Sequence, residues 1–177
     1  MKKFNAGWYV IYTRPRHEKK VATELSDGAI TYYLPVKKEL RKWHDRNKVV
    51  DVPLFQSYIF VHLNTLHDYY EGLKIDGVLN YVRTGKEMAQ VHNKVIEDIR
   101  LMMEYGEEVE VSSDYYQPGQ QLMIRYGPLT GMECEVVQTD KKQKILVRVH
   151  LLQRNLLVGL PADHFITNHA ATEKLMY

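Results

Sequence analysis

The stretch Val52-Pro53-Leu54-Phe55-Gln56-Ser57-Tyr58-Ile59-Phe60-Val61 is the segment that says most about the fold of this chain. It is apolar and aromatic, and it is rich in residues that favour β-strands. Because side chains alternate between the two faces of a strand, Tyr58 and Phe60 lie on the same face. We therefore predict a strand over 54–63 that presents bulky aromatic rings to one side of a sheet.

The residues around this strand predict the rest of the first half of the chain. In chain order the predicted elements are a strand at 8–13, a helix at 15–28, a strand at 30–36, a basic hairpin at 39–52, the strand at 54–63, a helix at 66–73 and a strand at 78–83. The order β-α-β-β-α-β, with the hairpin inserted after the second strand, is that of an α+β, ferredoxin-like fold. A last helix is predicted from an Asn93 cap.

The second half of the chain has a different pattern. Pro118-Gly119 and Gly127-Pro128-Leu129-Thr130-Gly131 mark turns. Short strands are predicted at 121–126, 132–138, 145–150 and 156–160. Close, turn-separated strands indicate a small β-barrel. The acidic, aperiodic segment 106–115 is predicted to be a linker. The predicted domains are therefore 5–105 and 116–168, followed by a tail at 169–177.

Composition narrows the class of protein. Of the 177 residues, 45% are hydrophobic and 26% are charged, which is typical of a soluble globular protein. No apolar run approaches the length of a transmembrane helix, and the N-terminus does not resemble a signal peptide. The single cysteine, Cys134, excludes an intrachain disulfide and indicates a reducing cytoplasm.

Charge is weakly positive overall but unevenly placed. The net charge of +2 argues against a protein held on nucleic acid by bulk electrostatics. Basic residues nevertheless cluster in the first half, at Arg14, Arg16, His17, Lys19 and Lys20 and again at Lys37, Lys38, Arg41, Lys42, Arg46 and Lys48. Local contact with a phosphate backbone and a solvated surface are both compatible with this pattern.

Motifs for enzyme chemistry are missing from the sequence. It contains no Gly-rich nucleotide loop, no nucleophile elbow and no zinc-binding pair of cysteines or histidines. The spacings His62/His67 and His164/His169 suit neither a helical nor a strand pair of metal ligands. We predict that the chain is not an enzyme and that it holds no cofactor or metal.

The aromatic strand admits two interpretations. A ferredoxin-like fold is also that of the RNA-recognition motif, but 54–61 lacks the basic residue and both glycines of that pattern. An aromatic surface rimmed by charge is typical of a protein–protein anchor. For Tyr12 and Tyr58, the interface and the core are both compatible with the pattern, whereas Phe60 is predicted to lie in the core.

The aromatic strand and the glycine-punctuated turns, in this order, resemble the N-terminal (NGN) and KOW domains of the NusG family. This resemblance implies an SH3-like KOW barrel, with Gly127, Pro128 and Gly131 in its turn. It also implies binding to the clamp helices of the largest RNA polymerase subunit. The positions that match the family's polymerase-binding residues are Tyr12, Phe55, Tyr58, Phe60, Ile99 and Met103.

The residues Phe55-Gln56-Ser57-Tyr58 stand where the family often has Phe-Pro-Gly-Tyr. In this the chain is similar to the specialised RfaH and UpxY-type antiterminators, and it leaves open whether the usual turn forms. RfaH-like proteins touch the non-template DNA strand with basic residues. The corresponding positions here are Arg14 and Lys20, and Arg16, His17 and Lys19 lie alongside them as further candidates. On the hairpin, Arg41, Lys42 and Arg46 are candidates for contact with upstream duplex DNA.

The predicted function is that of a cytoplasmic transcription elongation and antitermination factor. The N-terminal domain would bind RNA polymerase, and the KOW domain would recruit a second partner such as a small-subunit ribosomal protein or the Rho terminator. The alternative is a free RNA- or ribosome-binding protein that acts through the KOW barrel, because KOW units also occur in ribosomal proteins.

Overall fold

The computed structural model describes residues 4–42, 47–105, 107–112, 121–123, 129–130, 132–139, 142–149 and 154–159. The chain forms two compact units, Met1–Arg100 and Leu101–Tyr177. None of the helices in the described ranges is long and apolar enough to cross a membrane.

Two helices, eight strands and the start of a third helix make up the first unit. In chain order the elements are β1 (Gly7–Thr13), α1 (Glu18–Asp27), β2 (Thr31–Tyr33), β3 (Val36–Lys42), β4 (Asn47–Pro53), β5 (Tyr58–Leu63), α2 (Leu66–Lys74), β6 (Val78–Tyr81), β7 (Arg83–Thr84), β8 (Glu87–Met88) and α3 (Asn93–Tyr105). The principal sheet has the strand order β2-β5-β1-β6, and each neighbouring pair is antiparallel. This confirms the predicted β-α-β-β-α-β arrangement with an inserted hairpin.

One face of this sheet packs against α1 and α2. Alternation along β1 sends Tyr9 and Ile11 to this face, where they meet Val21 and Leu25 of α1. Ile59, Val61 and Leu63 of β5 complete the same buried cluster. Burial of these aliphatic side chains supplies the hydrophobic stabilisation of the unit, at roughly 1.5–3 kcal/mol for each fully buried residue.

The opposite face of the sheet is aromatic. The antiparallel register places Trp8, Val10 and Tyr12 of β1 opposite His62, Phe60 and Tyr58 of β5. On this side the Arg100 guanidinium of α3 lies over the Trp8 and Tyr33 rings. Ile96 and Ile99 of α3 are also fully buried. The predicted last helix therefore forms, and it begins at Asn93, the residue predicted as its cap.

The predicted basic hairpin is confirmed. Strands β3 and β4 pair from Val36 opposite Pro53 to Lys42 opposite Asn47, as a two-stranded sheet outside the principal one. The predicted turn, with Arg46, lies outside the described residues.

Several predicted boundaries are wrong for local reasons. Helix α1 begins at Glu18 and not at Pro15, because Pro15 and Arg16 form a turn in which Arg16 has φ +66°. The strand predicted over 54–63 begins only at Tyr58, since Ser57 adopts φ +65°, a conformation incompatible with a strand. The strand predicted at 30–36 is divided into β2 and the start of β3. The small hairpin β7–β8 was not predicted.

The second unit contains a five-stranded antiparallel sheet. Its strands are β9 (Glu107–Ser112), β10 (Gln121–Met123), β11 (Glu133–Thr139), β12 (Lys142–Val149) and β13 (Arg154–Gly159), in the order β10-β11-β12-β13-β9. Four of them overlap predicted strands. The fifth, β9, pairs with β13 inside the predicted linker 106–115. The acidic composition of this segment led to the prediction of a linker. The segment instead forms a β-strand, whose backbone pairs at the edge of the sheet.

The predicted KOW turn lies mostly outside the description. Leu129 and Thr130 form a turn, but Gly127, Pro128 and Gly131 are among the residues that are not described. The SH3-like barrel and the domain limits 5–105, 106–115, 116–168 and 169–177 stay predictions.

Gly72 of α2 provides a test of packing in the first unit. A Cβ at this position would overlap the hydroxyl oxygen of Tyr81, which is only 3% exposed. Gly72→Ala should lower the free energy of unfolding by about 1–3 kcal/mol through overpacking. The higher helix propensity of alanine, worth about 1 kcal/mol, offsets only part of this overpacking cost. Urea denaturation measures the change.

The matched control is Tyr81→Phe, alone and combined with Gly72→Ala. The double variant lacks the overlapping oxygen, so adding Gly72→Ala to Tyr81→Phe should cost much less than adding it to the wild type. A Gly72→Ala protein as stable as the wild type would contradict the packing argument.

Candidate functional site

Two tyrosines form the accessible part of the aromatic face. Tyr12 and Tyr58 are cross-strand partners at the ends of β1 and β5, and both are half-buried. Their ring centroids are 5.3 Å apart at an interplanar angle of 41°. A cross-strand aromatic pair of this kind adds about 0.5–1.5 kcal/mol beyond the area it buries. We call this pair the aromatic surface.

Other predicted polymerase-binding residues lie beneath the surface of the protein. Phe55 and Phe60 are 3% and 0% exposed and meet edge to face, with centroids 5.8 Å apart. Ile99 is also fully buried, whereas Met103 of the same helix is half-buried. Phe60 is thus in the core, as predicted. Of the six candidates, only Tyr12, Tyr58 and Met103 have appreciable exposed area.

Arg100 was missed by the sequence analysis. Its guanidinium lies 5.0 Å from the Tyr33 ring centroid and 5.7 Å from that of Trp8, which are cation–π distances. Tyr33 in turn stacks on Phe60 at 6.2 Å. Burial raises the pKa of Tyr33 to about 12, and Arg100 acts in the opposite direction. A cation therefore flanks the aromatic face, a feature visible only when α3 and the sheet are placed together.

The turn before β5 forms without glycine. Ser57 takes the left-handed conformation at φ +65°, and its carbonyl accepts a hydrogen bond of 2.8 Å from the Thr13 amide. The Ser57 amide donates to Oε1 of Glu18 at 2.7 Å. Glu18 is only 4% exposed, so a buried carboxylate ties the first turn of α1 to the turn that places Tyr58. Nothing in the linear sequence indicated this contact.

The basic residues at the start of α1 divide into two groups. We call Arg14, Arg16, His17, Lys19 and Lys20 the basic flank. Asp76 lies 2.6 Å from the Lys20 ammonium and 3.4 Å from the Arg14 guanidinium. The hydrogen bond between Asp76 and Lys20 raises the pKa of Lys20 and lowers that of Asp76. Both groups stay ionised at neutral pH.

Two members of the basic flank keep their charge uncompensated. Arg16 and Lys19 are exposed and form no ion pair within the part of the chain that the structure describes. On the hairpin, Arg41 is 3.4 Å from Glu39, and Lys42 is exposed at the end of β3. Arg46 is not among the described residues. His17 contacts the Pro15 carbonyl oxygen through Nδ1 at 3.1 Å.

Metal chemistry has no site among the residues that the structure describes. No group of three or more histidine, cysteine or carboxylate side chains there could hold a metal ion.

A family model described as transcription termination factor nusG matches residues 6–100. The match spans more than half of the 177 residues and includes both the aromatic surface and the basic flank. The chain belongs to the NusG family. It is thereby a transcription factor of the class named for termination and antitermination.

One curated protein and one solved structure are similar to this chain. The transcription termination/antitermination protein NusG of Halalkalibacterium halodurans is 26% identical over 169 residues, which cover 87% of this chain and 94% of that protein. A solved structure concerned with domain interaction in Thermotoga maritima NusG matches 90% of this chain and 96% of its own, with a TM-score of 0.54 and 17% identity. At that identity the structural likeness shows the fold alone.

Ser57 supplies a test of the turn. Ser57→Gly should raise the free energy of unfolding by roughly 1 kcal/mol, because glycine has no Cβ to oppose a positive φ. Ser57→Ala is the matched control: it removes the hydroxyl but keeps the Cβ, and it should give no such gain. Urea denaturation of both variants measures the difference. Equal stabilities of the two variants would show that backbone strain at Ser57 is negligible.

Asp76 supplies a test of charge at the basic flank. Asp76→Asn frees Lys20 and Arg14, so it should strengthen binding to a single-stranded oligonucleotide several-fold and steepen its dependence on salt. Fluorescence anisotropy across a salt series measures both effects. Asp98→Asn, which removes the same charge beside Lys94 on α3, serves as the control.

The pH dependence of stability follows from the same ion pair. Because folding lowers the pKa of Asp76, its stabilising contribution is present above the unfolded pKa and is lost as pH falls through the folded pKa. Asp76→Asn should therefore reduce the acid-dependent loss of stability. An unchanged pH profile would contradict the pairing.

Proposed function

We propose that this NusG-family chain binds RNA polymerase through the aromatic surface and thereby modifies elongation. The observation that carries the proposal is the half-buried Tyr12–Tyr58 pair, which lies within the family-matched segment and on the same sheet face as the buried Phe60. Rigid aromatic side chains provide large apolar contact area at low entropic cost, which is typical of interface hot spots.

The proposed site on the polymerase is the clamp-helix region of its largest subunit. Arg100 lies beside the aromatic face, where a cation favours an acidic partner surface. Tyr12 and Tyr58 would make direct contacts, while Phe55, Phe60 and Ile99 would hold the surface in shape. Met103, which belongs to the second unit, is proposed separately as a contact. Binding that bridges mobile parts of the enzyme would bias it against pausing, by favouring one of its conformations.

The basic flank and the hairpin would contact DNA exposed in the elongation complex. Their salt-sensitive contacts would go chiefly to phosphates of the non-template strand. The second unit would act as an SH3-like KOW domain that recruits a small-subunit ribosomal protein or Rho.

We also propose that the chain is a cytoplasmic paralog of the RfaH and UpxY type, because Gln56-Ser57 replaces the family's Pro-Gly.

Binding of the purified chain to a reconstituted elongation complex tests the polymerase contact. Tyr58→Ala should weaken binding by about tenfold or more, as expected for an interface hot spot. Tyr58→Phe keeps the ring and should retain most of the affinity. Tyr70→Ala is the matched control, because Tyr70 is 54% exposed on α2, against the other face of the sheet.

The opposite result would favour the alternative function. If the wild type binds free RNA or ribosomes but not the elongation complex, and Tyr58→Ala has no effect, the chain acts through its second unit. Urea denaturation of each variant ensures that lost binding does not reflect unfolding.

A further inference from the structure

A cleft of about 520 Å³ separates α1 from the β3–β4 hairpin in the first unit. One wall comes from the start of α1 and carries Arg16 and Lys19, and the other comes from the hairpin and carries Arg41. Gln56 and Ser57 of the turn before β5 close one side. The volume lies within the range of roughly 300–1,000 Å³ that is typical of small-molecule sites.

The cations of this cleft are arranged differently from Arg14 and Lys20. Those two residues are held by Asp76, and Arg41 of the hairpin lies 3.4 Å from Glu39, whereas Arg16 and Lys19 have no ion-pair partner in the described ranges. Three cationic side chains from two separate elements thus converge on one concave site. Like charges brought together in this way repel one another unless an anion is bound between them.

Two carboxylates, Glu18 and Asp51, also line the cleft. Glu18 is 4% exposed, and its Oε1 accepts the Ser57 amide proton, so it belongs to the floor. Asp51 is exposed on β4, opposite Lys38 in the hairpin register. The negative charge of Asp51 would repel an anion in the cleft. Replacing Asp51 by a neutral residue should therefore strengthen binding of that anion.

The backbone is strained at the same place. Arg16 and Ser57 both have positive φ, at +66° and +65°, and both line the cleft. Each such residue costs about 1 kcal/mol or more, and conformations of this kind cluster at binding sites. At Arg16 the strained turn sets the direction from which the side chain enters the cleft.

We infer that this cleft clamps a backbone phosphate of a nucleic-acid strand between Arg16 and Lys19 of α1 and Arg41 of the hairpin. The inference rests on the proposed contact with nucleic acid, and it assigns that contact to one site. Arg16 and Arg41 can each present paired N–H groups to phosphate oxygens, while Lys19 adds a point charge.

The contact positions the strand and does not read its sequence. None of the described residues that line the cleft is aromatic; its apolar walls are Pro15, Val50, Val52 and Pro53. A site without stacking rings has no platform for a base, and phosphate contacts carry no direct sequence information. Oligonucleotides of different base composition should therefore bind the cleft alike.

The test compares variants of the full chain for binding to labelled single-stranded oligo(dT) and oligo(dA) from roughly 50 to 200 mM salt. The Arg16→Gln/Lys19→Gln variant should bind several-fold more weakly, with the slope of log affinity against log salt reduced by about 0.7, the value for one phosphate on a single strand. Asp51→Asn should bind several-fold more tightly. Both effects should be equal for the two sequences.

Lys86→Gln is the control for net charge. Lys86 lies in the β7–β8 turn, which follows β6 at the sheet edge opposite to β2, and it should leave affinity and slope unchanged. Free inorganic phosphate is added as a competitor. Displacement of the oligonucleotide at millimolar phosphate would show that the site takes free phosphate as readily as a strand, and would overturn the assignment to nucleic acid.

Two further results would overturn the inference. One is that the Arg16→Gln/Lys19→Gln and Asp51→Asn variants show the same affinity and salt slope as Lys86→Gln. The other is tighter binding of polyglutamate than of the oligonucleotides, which would make the cleft a site for an acidic protein.

The elongation-complex assay separates this inference from the proposed function. If Tyr58→Ala abolishes polymerase binding while the cleft variants leave the oligonucleotide slope unchanged, the function stands and the cleft assignment fails. If the cleft variants lower the slope but the wild type does not bind polymerase, the reverse holds.

Discussion

The antiparallel pairing of β1 with β5 organises the first unit of this protein. Both are the inner strands of the principal sheet, so each is paired with a neighbouring strand along both of its edges. One face carries the aliphatic residues that pack on α1 and α2, and the other carries the aromatic row that ends in Tyr12 and Tyr58. Because side chains alternate with a period of two, a slip of one residue would exchange these faces, burying the tyrosine pair and exposing the aliphatic core.

A second constraint connects the aromatic surface with the basic flank. The Glu18 carboxylate accepts the Ser57 amide proton, and the Ser57 carbonyl accepts that of Thr13. These bonds join the ends of β1 and β5 to the first turn of α1. A hydrogen bond to a charged group of this kind contributes about 1.5–3 kcal/mol. The residues that would meet polymerase and those that would meet nucleic acid are consequently held by the same short turn.

The charges show why composition alone says little about the proposed nucleic-acid site. The basic flank has five members in the sequence, but Asp76 holds two of them, and it lies far along the chain from Arg14 and Lys20. Arg41 belongs to a different element from Arg16 and Lys19, yet it lines the same cleft. The topology of the fold decides which cations meet a carboxylate and which cations line the same cleft. Counting charges along the chain therefore identified the region and could not identify which cations are available.

The sequence alone determined the β-α-β-β-α-β order of the principal elements, the inserted hairpin and the aromatic face, because these follow from local periodicity of apolar side chains. It also carried the family resemblance that the match over residues 6–100 confirmed. Only the tertiary structure decided that Ser57 forms the turn without glycine, that Arg100 covers Tyr33 and Trp8, and that β9 occupies the acidic segment. Each of these depends on a partner distant in sequence: Glu18 for Ser57, the sheet for Arg100, and β13 for β9. Such partners come together only when the chain folds, and local patterns do not encode them.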